Sequence, residues 1–275
     1  MVAEVVPEEK RVEAGALLYP SAPLGLFLAD FVNTEVAGNW FIHDPAMSWR
    51  YVLMFGLLPA AEGRPLMRAY SVASANHAEY LEFFSIKVPD GPLTSRLQHL
   101  QPGDDLLVSR KPTGTLVLHD LKPGKHLYML STGTGLAPFL SLVKDPETYE
   151  RFEKIVLIHG VRYVNELAYA DFFRQELREH EFLGDQVRDK LIYYPTVTRE
   201  DYQNTGRLTD LIESGKLFSD IGLPRFDPAV DRAMICGSPS MLDETSEVLN
   251  SFGLTVSPRM REPGDYLIER AFVEK

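Results

Sequence analysis

Two stretches of the sequence place glycine, hydroxyl and guanidinium groups where they could hold phosphates. Ser131-Thr132-Gly133-Thr134-Gly135-Leu136-Ala137-Pro138 follows an apolar run and opens a helical one. Gly133 and Gly135 let the backbone approach a phosphate closely, and Pro138 suits a first helical turn, where its missing N–H would be unpaired in any case. The pattern is not G-x-G-x-x-G, and a strand-to-helix corner needs glycine for structural reasons too. Arg162 and Arg199 each close an apolar run, and Arg207 follows eight residues after Arg199. In the common doubly wound NAD site the second strand often ends in a carboxylate for the ribose 2′-hydroxyl. Arg162 stands there instead, and three planar, permanently charged groups at strand ends suit a 2′-phosphate, which points to NADP. The competing reading is three solvated arginines balancing Glu166, Glu200 and Asp201.

Other segments are less specific taken singly. Arg68-Ala69-Tyr70-Ser71 reads as a strand with Arg68 and Tyr70 on one face, and an exposed Arg beside a packed Tyr accounts for it equally well. Val88-Pro89-Asp90-Gly91-Pro92-Leu93-Thr94-Ser95 runs through a tight turn into a short helix, which is either an anion cradle or a surface helix capped by Thr94 or Ser95. Cys236-Gly237-Ser238-Pro239 ends another apolar run, where a cysteine is either core packing or a wall of the ligand crevice at the carboxyl edge of a sheet. The 7 histidines show no ligand spacing, so no metal is assigned.

These groups must be positioned by a chain of 275 residues, enough for one to two domains, with 45% hydrophobic residues for ordinary cores. A net charge of -11 disfavours binding to nucleic acid, and the single cysteine excludes an internal disulfide, a structural zinc site and an iron–sulfur cluster. Electron handling must then rest on an organic cofactor. The longest uncharged stretch, Ala14 to Ala29, is broken by Pro20 and Pro23, so no membrane span is expected and a reducing, cytoplasmic setting follows as the default.

Short alternating runs at Tyr51–Leu58, Arg68–Ala73, Leu81–Val88, Asp105–Ser109 and Thr115–Leu118, with a helix at Leu93–Leu100, predict an antiparallel β-barrel. From Lys125 the texture changes to a parallel α/β sheet. Strands are expected at His126–Ser131, Lys154–Val161, Leu191–Val197 and Arg232–Cys236, and helices at Leu136–Lys144, Asn165–His180, Leu208–Glu213 and Pro239–Phe252. The boundary is set at Pro123-Gly124, giving domains 1–122 and 123–275, with 1–49 the least readable part.

Taken in order, the motifs resemble the ferredoxin/flavodoxin–NADP reductase family, and within it the bacterial type. They are R-x-Y-S (Arg68–Ser71), V-P-D-G-x-L-[ST] (Val88–Thr94), T-G-T-G-x-A-P (Thr132–Pro138), T-R-E (Thr198–Glu200), C-G-[SN]-P-x-M (Cys236–Met241) and a terminus extending through Ala271-Phe272. The resemblance implies a FAD-binding barrel followed by an NADP-binding domain, with electrons passing between NADPH and ferredoxin or flavodoxin. It implies FAD contacts from Arg68, Ala69, Tyr70, Ser71, Phe84, Ile86, Lys87, Val88, Pro92, Leu93, Thr94, Thr134, Ala271 and Phe272. It further implies an NADP site of Gly133, Gly135, Arg162, Thr198, Arg199, Arg207, Gly237, Ser238, Pro239 and Glu244, and a reacting centre of Ser71, Cys236 and Glu269. The rival readings are the reductase component of an oxygenase and a non-catalytic flavin-binding module.

Overall fold

The computed structural model describes residues 2–4, 53–55, 58–59, 65–66, 68–101, 104, 106, 108 and 114–270. By its contacts the chain divides into two units, Met1–Gly114 and Thr115–Lys275.

Among the described residues of the first unit the strands are β1 (Val2–Glu4), β2 (Leu53–Phe55), β3 (Leu58–Pro59), β4 (Pro65–Leu66), β5 (Ala69–Ser71) and β6 (Glu82–Phe84), followed by helix α1 (Thr94–Leu97). β1 pairs with β6, β2 with β5 and β3 with β4, all antiparallel. A bridge between Val72 and Phe83, and the Ala73 N–H donating to the Glu82 carbonyl at 2.8 Å, continue the pairing beyond β5. β6 is shorter than its apolar run predicts, because Ile86, Lys87 and Val88 are exposed as the chain enters the Pro89-Asp90-Gly91 turn. α1 is also shorter than expected. Buried Leu93 is its N-cap residue and no side chain caps it, since the Thr94 hydroxyl donates back to the Val88 carbonyl at 3.1 Å. Of the Asp105–Ser109 run only Leu106 and Val108 are described, and Tyr51, Val52, Gly56 and Leu57 lie outside the described residues.

The second unit is a parallel sheet of β7 (His126–Thr132), β8 (Lys154–Val161), β9 (Leu191–Val197), β10 (Asp231–Gly237) and β11 (Tyr266–Arg270), in the order β11-β10-β7-β8-β9. Nearly every residue of β7, β8 and β10 is buried, as sheets covered on both faces require, which is why these strands read as apolar runs rather than alternations. Helices α2 (Ala137–Val143), α3 (Pro146–Arg151), α4 (Ala170–Arg174), α5 (Gly184–Lys190), α6 (Leu208–Ser214), α7 (Lys216–Ile221) and α8 (Pro239–Ser251) connect the strands. Leu130, Ile158 and Ile235 of the sheet pack in one core cluster with Ile212 of α6, Phe218 of α7 and Leu249 of α8. The chain adds β8 and then β9 on one side of β7 before returning to add β10 on the other. The carboxyl ends of β7 and β10 therefore flank the point where strand order reverses, which is where open α/β sheets leave a crevice for ligands.

Two expectations for this unit are corrected. Asn165–His180 is not one helix but a 3-10 turn at Val164–Glu166, α4, and a second 3-10 turn at Glu176–Glu179, with Tyr169 in the left-handed region at φ 61°. Thr115–Leu118 is not a strand, since Leu116, Val117 and Leu118 are all buried with no alternation and lead into a 3-10 helix. The two units divide ahead of this segment, eight residues before Pro123, because the Thr115 hydroxyl donates to the Ile268 carbonyl at 2.8 Å and the Lys122 N–H to the Gly264 carbonyl at 2.9 Å. β11 was not among the expected strands, and neither were α3, α5 and α7 among the helices.

Candidate functional site

The crevice at the carboxyl ends of β7 and β10 is built by close backbone approach. A methyl group at Gly135 would run into the Cys236 carbonyl, and one at Gly237 into the Thr132 hydroxyl and the Met241 sulfur. At Gly135 the obstacle is backbone and only glycine fits, whereas at Gly237 the side chains of Thr132 and Met241 would have to move. Gly133 is required for a different reason: the space beside it is open, but its φ is +54°. Gly133, Thr134, Gly135 and Leu136 form a 3-10 turn that leads directly into α2, whose second residue is Pro138. On the facing strand, Ser238 caps α8 by accepting the Met241 N–H at 3.3 Å, with Pro239 in the first turn. Two turns that open onto helices thus meet at the strand switch point, with half-buried Thr134 and Ser238 and exposed Gly133 and Pro239 facing outward.

Behind these turns Cys236 and Glu269 are register partners on β10 and β11. Cys236 is fully buried, and burial together with the Glu269 charge raises its thiol well above the usual range, so it is a neutral S–H at pH 7. Glu269 is only 7% exposed and accepts the Thr115 N–H at 3.2 Å. Thr115 lies outside the set expected from sequence; its hydroxyl holds the β11 backbone through Ile268 while its N–H orients Glu269.

The three arginines gather at the ends of β8 and β9. The Arg199 N–H donates to the Arg162 carbonyl at 2.9 Å, and the Gly206 N–H to the Val197 carbonyl at 3.1 Å, which brings Arg207 back to the end of β9. All three side chains are exposed. Arg162 is bonded to Glu166 and Arg207 to Glu244, while Arg199 lies over the Tyr163 ring, 6.0 Å from its centroid. The backbones that carry the three arginines thus come together as the sequence leads one to expect, but of the carboxylates in the competing reading only Glu166 meets one of them: Glu200 accepts the Val164 N–H, and Arg207 is matched instead by Glu244. Thr198 is held by its hydroxyl to the Val161 carbonyl at 3.3 Å.

In the first unit, Tyr70 is half-buried, and burial raises its hydroxyl pKa against the lowering effects of a hydrogen bond with Ser85 and the charge of Arg68. Arg68 is exposed, Ala69, Ser71 and Phe84 are half-buried, and Ile86, Lys87 and Val88 are exposed along the way to Pro92, Leu93 and Thr94. This leaves an apolar and cationic surface beside an uncapped helix start. Ala271 and Phe272 lie outside the described residues.

Residues 129–247 match the family model for the oxidoreductase NAD-binding domain. A ferredoxin–NADP reductase of Pseudomonas aeruginosa is 74% identical over 223 residues, which is 81% of this chain and 86% of that protein. The chain belongs to the ferredoxin–NADP reductase family. A flavodoxin/ferredoxin–NADP reductase of Rhodobacter capsulatus is 48% identical, over 80% of this chain and 81% of that one. Among solved structures, a ferredoxin NADP+ reductase of Neisseria gonorrhoeae with bound FAD and NADP superposes with a TM-score of 0.70 at 32% identity, over 80% of this chain and 86% of that chain. Like that family member, the chain has two domains, and the second holds the parallel sheet. Among the described residues no group of His, Cys, Asp or Glu could hold a metal ion, and no helix is long and apolar enough to cross a membrane.

Proposed function

We propose that this reductase passes electrons between NADPH and ferredoxin through FAD, with flavodoxin as a second acceptor. The observation that carries the reading is the strand-switch crevice, where glycines press two helix-opening turns together between buried Cys236 and Glu269 and a rim of three arginines. The residues present fit the nucleotide: Gly135 packs directly on the Cys236 carbonyl and brings the two turns together, and the open space beside Gly133 leaves room for a pyrophosphate. The relatives' names give no support to the oxygenase-component and non-catalytic alternatives.

In this reading Gly133, Gly135, Gly237, Ser238 and Pro239 line the pyrophosphate, and Thr198, Arg162, Arg199 and Arg207 receive the 2′-phosphate. The first unit holds FAD in an antiparallel barrel, Arg68 and Pro92–Thr94 on its pyrophosphate and Ala69, Tyr70, Phe84 and Ile86–Val88 along the flavin. Bound FAD supplies the exchange of one hydride for two single electrons. The chain's own residues position and exclude. Ser71 donates a hydrogen bond near flavin N5. Glu269, fixed by the Thr115 N–H, places a negative charge where the nicotinamide ring becomes positive. Cys236, neutral and buried, fills the crevice floor without competing as a nucleophile. One free, buried cysteine suits a reducing, cytoplasmic setting.

The test is anaerobic titration of the yellow protein with NADPH and with NADH, followed by ferredoxin reduction. Preferential bleaching of the flavin by NADPH and turnover with ferredoxin are expected; equal rates with both nucleotides would overturn the arginine assignment, and no bleaching would overturn the enzyme reading.

A further inference from the structure

Two of the three rim guanidinium groups, those of Arg162 and Arg207, are paired with carboxylates, and a third carboxylate, Glu200, lies beside them on the backbone. Glu166 takes Arg162 through Nε at 3.1 Å and Nη2 at 2.6 Å, and is itself anchored by the backbone N–H groups of Arg162 at 2.9 Å and Tyr163 at 3.3 Å. Glu244 of α8 meets Arg207 Nη1 at 3.1 Å, and Glu200 is tied to the Val164 N–H. The hydrogen bonds from Arg162 hold the Glu166 carboxyl below the usual carboxylate range against the effect of burial, so it is charged at neutral pH. The formal charges of Arg162, Arg199, Arg207, Glu166, Glu200 and Glu244 therefore cancel.

A dianionic phosphate arriving here meets carboxylates as well as guanidiniums. Glu166 occupies the Nε–Nη2 fork of Arg162, the side a phosphate uses for two parallel hydrogen bonds. Glu244 touches only Nη1 of Arg207, so the fork of that arginine is not spanned by it. Among the described residues Arg199 forms no salt bridge, and its guanidinium lies over the Tyr163 ring.

Resting on the reading that these arginines receive the 2′-phosphate, we infer that Glu166 and Glu244 are specificity-determining positioning residues that aim the rim guanidiniums while weakening their grip on the phosphate. Discrimination between NADPH and NADH then rests on the geometry of the donors rather than on excess positive charge, and the nucleotide is held loosely enough to exchange during turnover. Removing either negative charge strengthens phosphate binding; Glu244→Gln keeps an amide oxygen for its one hydrogen bond from Arg207, whereas Glu166, which accepts through both oxygens, keeps a single accepting oxygen in Glu166→Gln.

The experiment is calorimetric titration of the FAD-loaded protein with 2′-phospho-AMP and with AMP. Glu244→Gln and Glu166→Gln are each expected to tighten 2′-phospho-AMP by about three- to tenfold at low ionic strength, a gain that shrinks in 0.5 M salt as the charges are screened. AMP, which lacks the phosphate, binds both variants as it binds the parent and reports that the site is intact. A variant that binds 2′-phospho-AMP no tighter than the parent removes its carboxylate from the inference, and weaker binding by both overturns it in favour of a purely supporting role. Arg207→Ala separates the two levels: unchanged 2′-phospho-AMP affinity in that variant sinks the underlying arginine reading, whereas a loss there with no gain in Glu244→Gln sinks only this inference.

Discussion

The centre and the rim of the strand-switch crevice are built on opposite principles. At the centre, Gly135 against the Cys236 backbone leaves no room for a single added carbon, and Cys236 and Glu269 are buried. At the rim, Arg162, Arg199 and Arg207 are exposed and balanced by carboxylates. Contact between packed backbones is nearly all-or-none, since interiors at crystal-like density do not yield by small amounts. Exposed charge is graded, because solvent screens each pair and rotamers adjust. In the proposed reading, shape at the centre sets where the nucleotide lies, and the aim of the rim guanidiniums sets which nucleotide is kept.

That contrast breaks most readily at Gly135. Gly135→Ala drives a methyl group into the Cys236 carbonyl and should cost about 3 kcal/mol or more in stability, with loss of NADPH-dependent flavin reduction. Urea unfolding of the variant checks it, and parent-like stability would mean that the turn has slack the packing does not show.

The next largest effect is kinetic. Glu269→Ala, which leaves the Thr115 N–H without its carboxylate, and Ser71→Ala in the first unit should each slow flavin reduction by roughly ten- to a thousandfold, with little change in NADPH affinity. Stopped-flow reduction by excess NADPH measures both; parent rates in the two variants would move the reacting centre elsewhere.

Between centre and rim lies His159, buried on β8, with Nδ1 3.2 Å from the Tyr193 hydroxyl and its pKa lowered by burial from 6.5 to about 4. The unfolded chain takes up a proton at this group below pH 6.5 while the folded one does not until about pH 4, so stability falls as pH drops through that window. About 2 kcal/mol should be lost between pH 7 and pH 5. Hydrogen exchange of the β8 amides reads it, and His159→Gln should flatten the dependence; a parent protein equally protected at both pH values contradicts a neutral imidazole.

At the rim the expected effects are smaller. Arg207→Ala should weaken NADPH by about 1.5 kcal/mol, the low end for a charge-assisted contact because the side chain is exposed and shared with Glu244, and should spare NADH. Dissociation constants for the two nucleotides decide it, equal losses pointing away from the 2′-phosphate.

The sequence displays the second unit better than the first, for physical reasons. β7, β8, β9 and β10 are long runs buried by their neighbours, so hydropathy alone marks them, and the glycines between strand and helix are where close approach demands them. β11 escaped notice because five residues, Tyr266–Arg270, carry two charges at one end, and only pairing with β10 buries Glu269. The 165–180 segment has helical composition, but Tyr169 adopts a left-handed conformation that a side-chain count does not reveal. In the first unit alternation overstated strand length, since Ile86 and Val88 are apolar yet exposed. The rim arginines were legible as residues, and Glu166 was visible four positions after Arg162, but the pairing of Arg207 with Glu244 spans 37 residues and needs the fold.

The strand order also sets a schedule for assembly. β7, β8 and β9 are sequential neighbours and can pair as soon as each emerges, but β10 joins β7 across a long gap in sequence, marked by His126 Nδ1 and the Asp231 carboxylate 2.7 Å apart over 105 residues. Loop closure of that length is slow and comes after local pairing. Until then the Gly133–Leu136 turn has nothing to press against, and a nascent chain lacking β10 and β11 carries all three rim arginines with no floor beneath the nucleotide. Competence for NADPH therefore arrives as a late event in synthesis, since the floor on β10 and Glu244, the rim partner of Arg207, emerge together at the end.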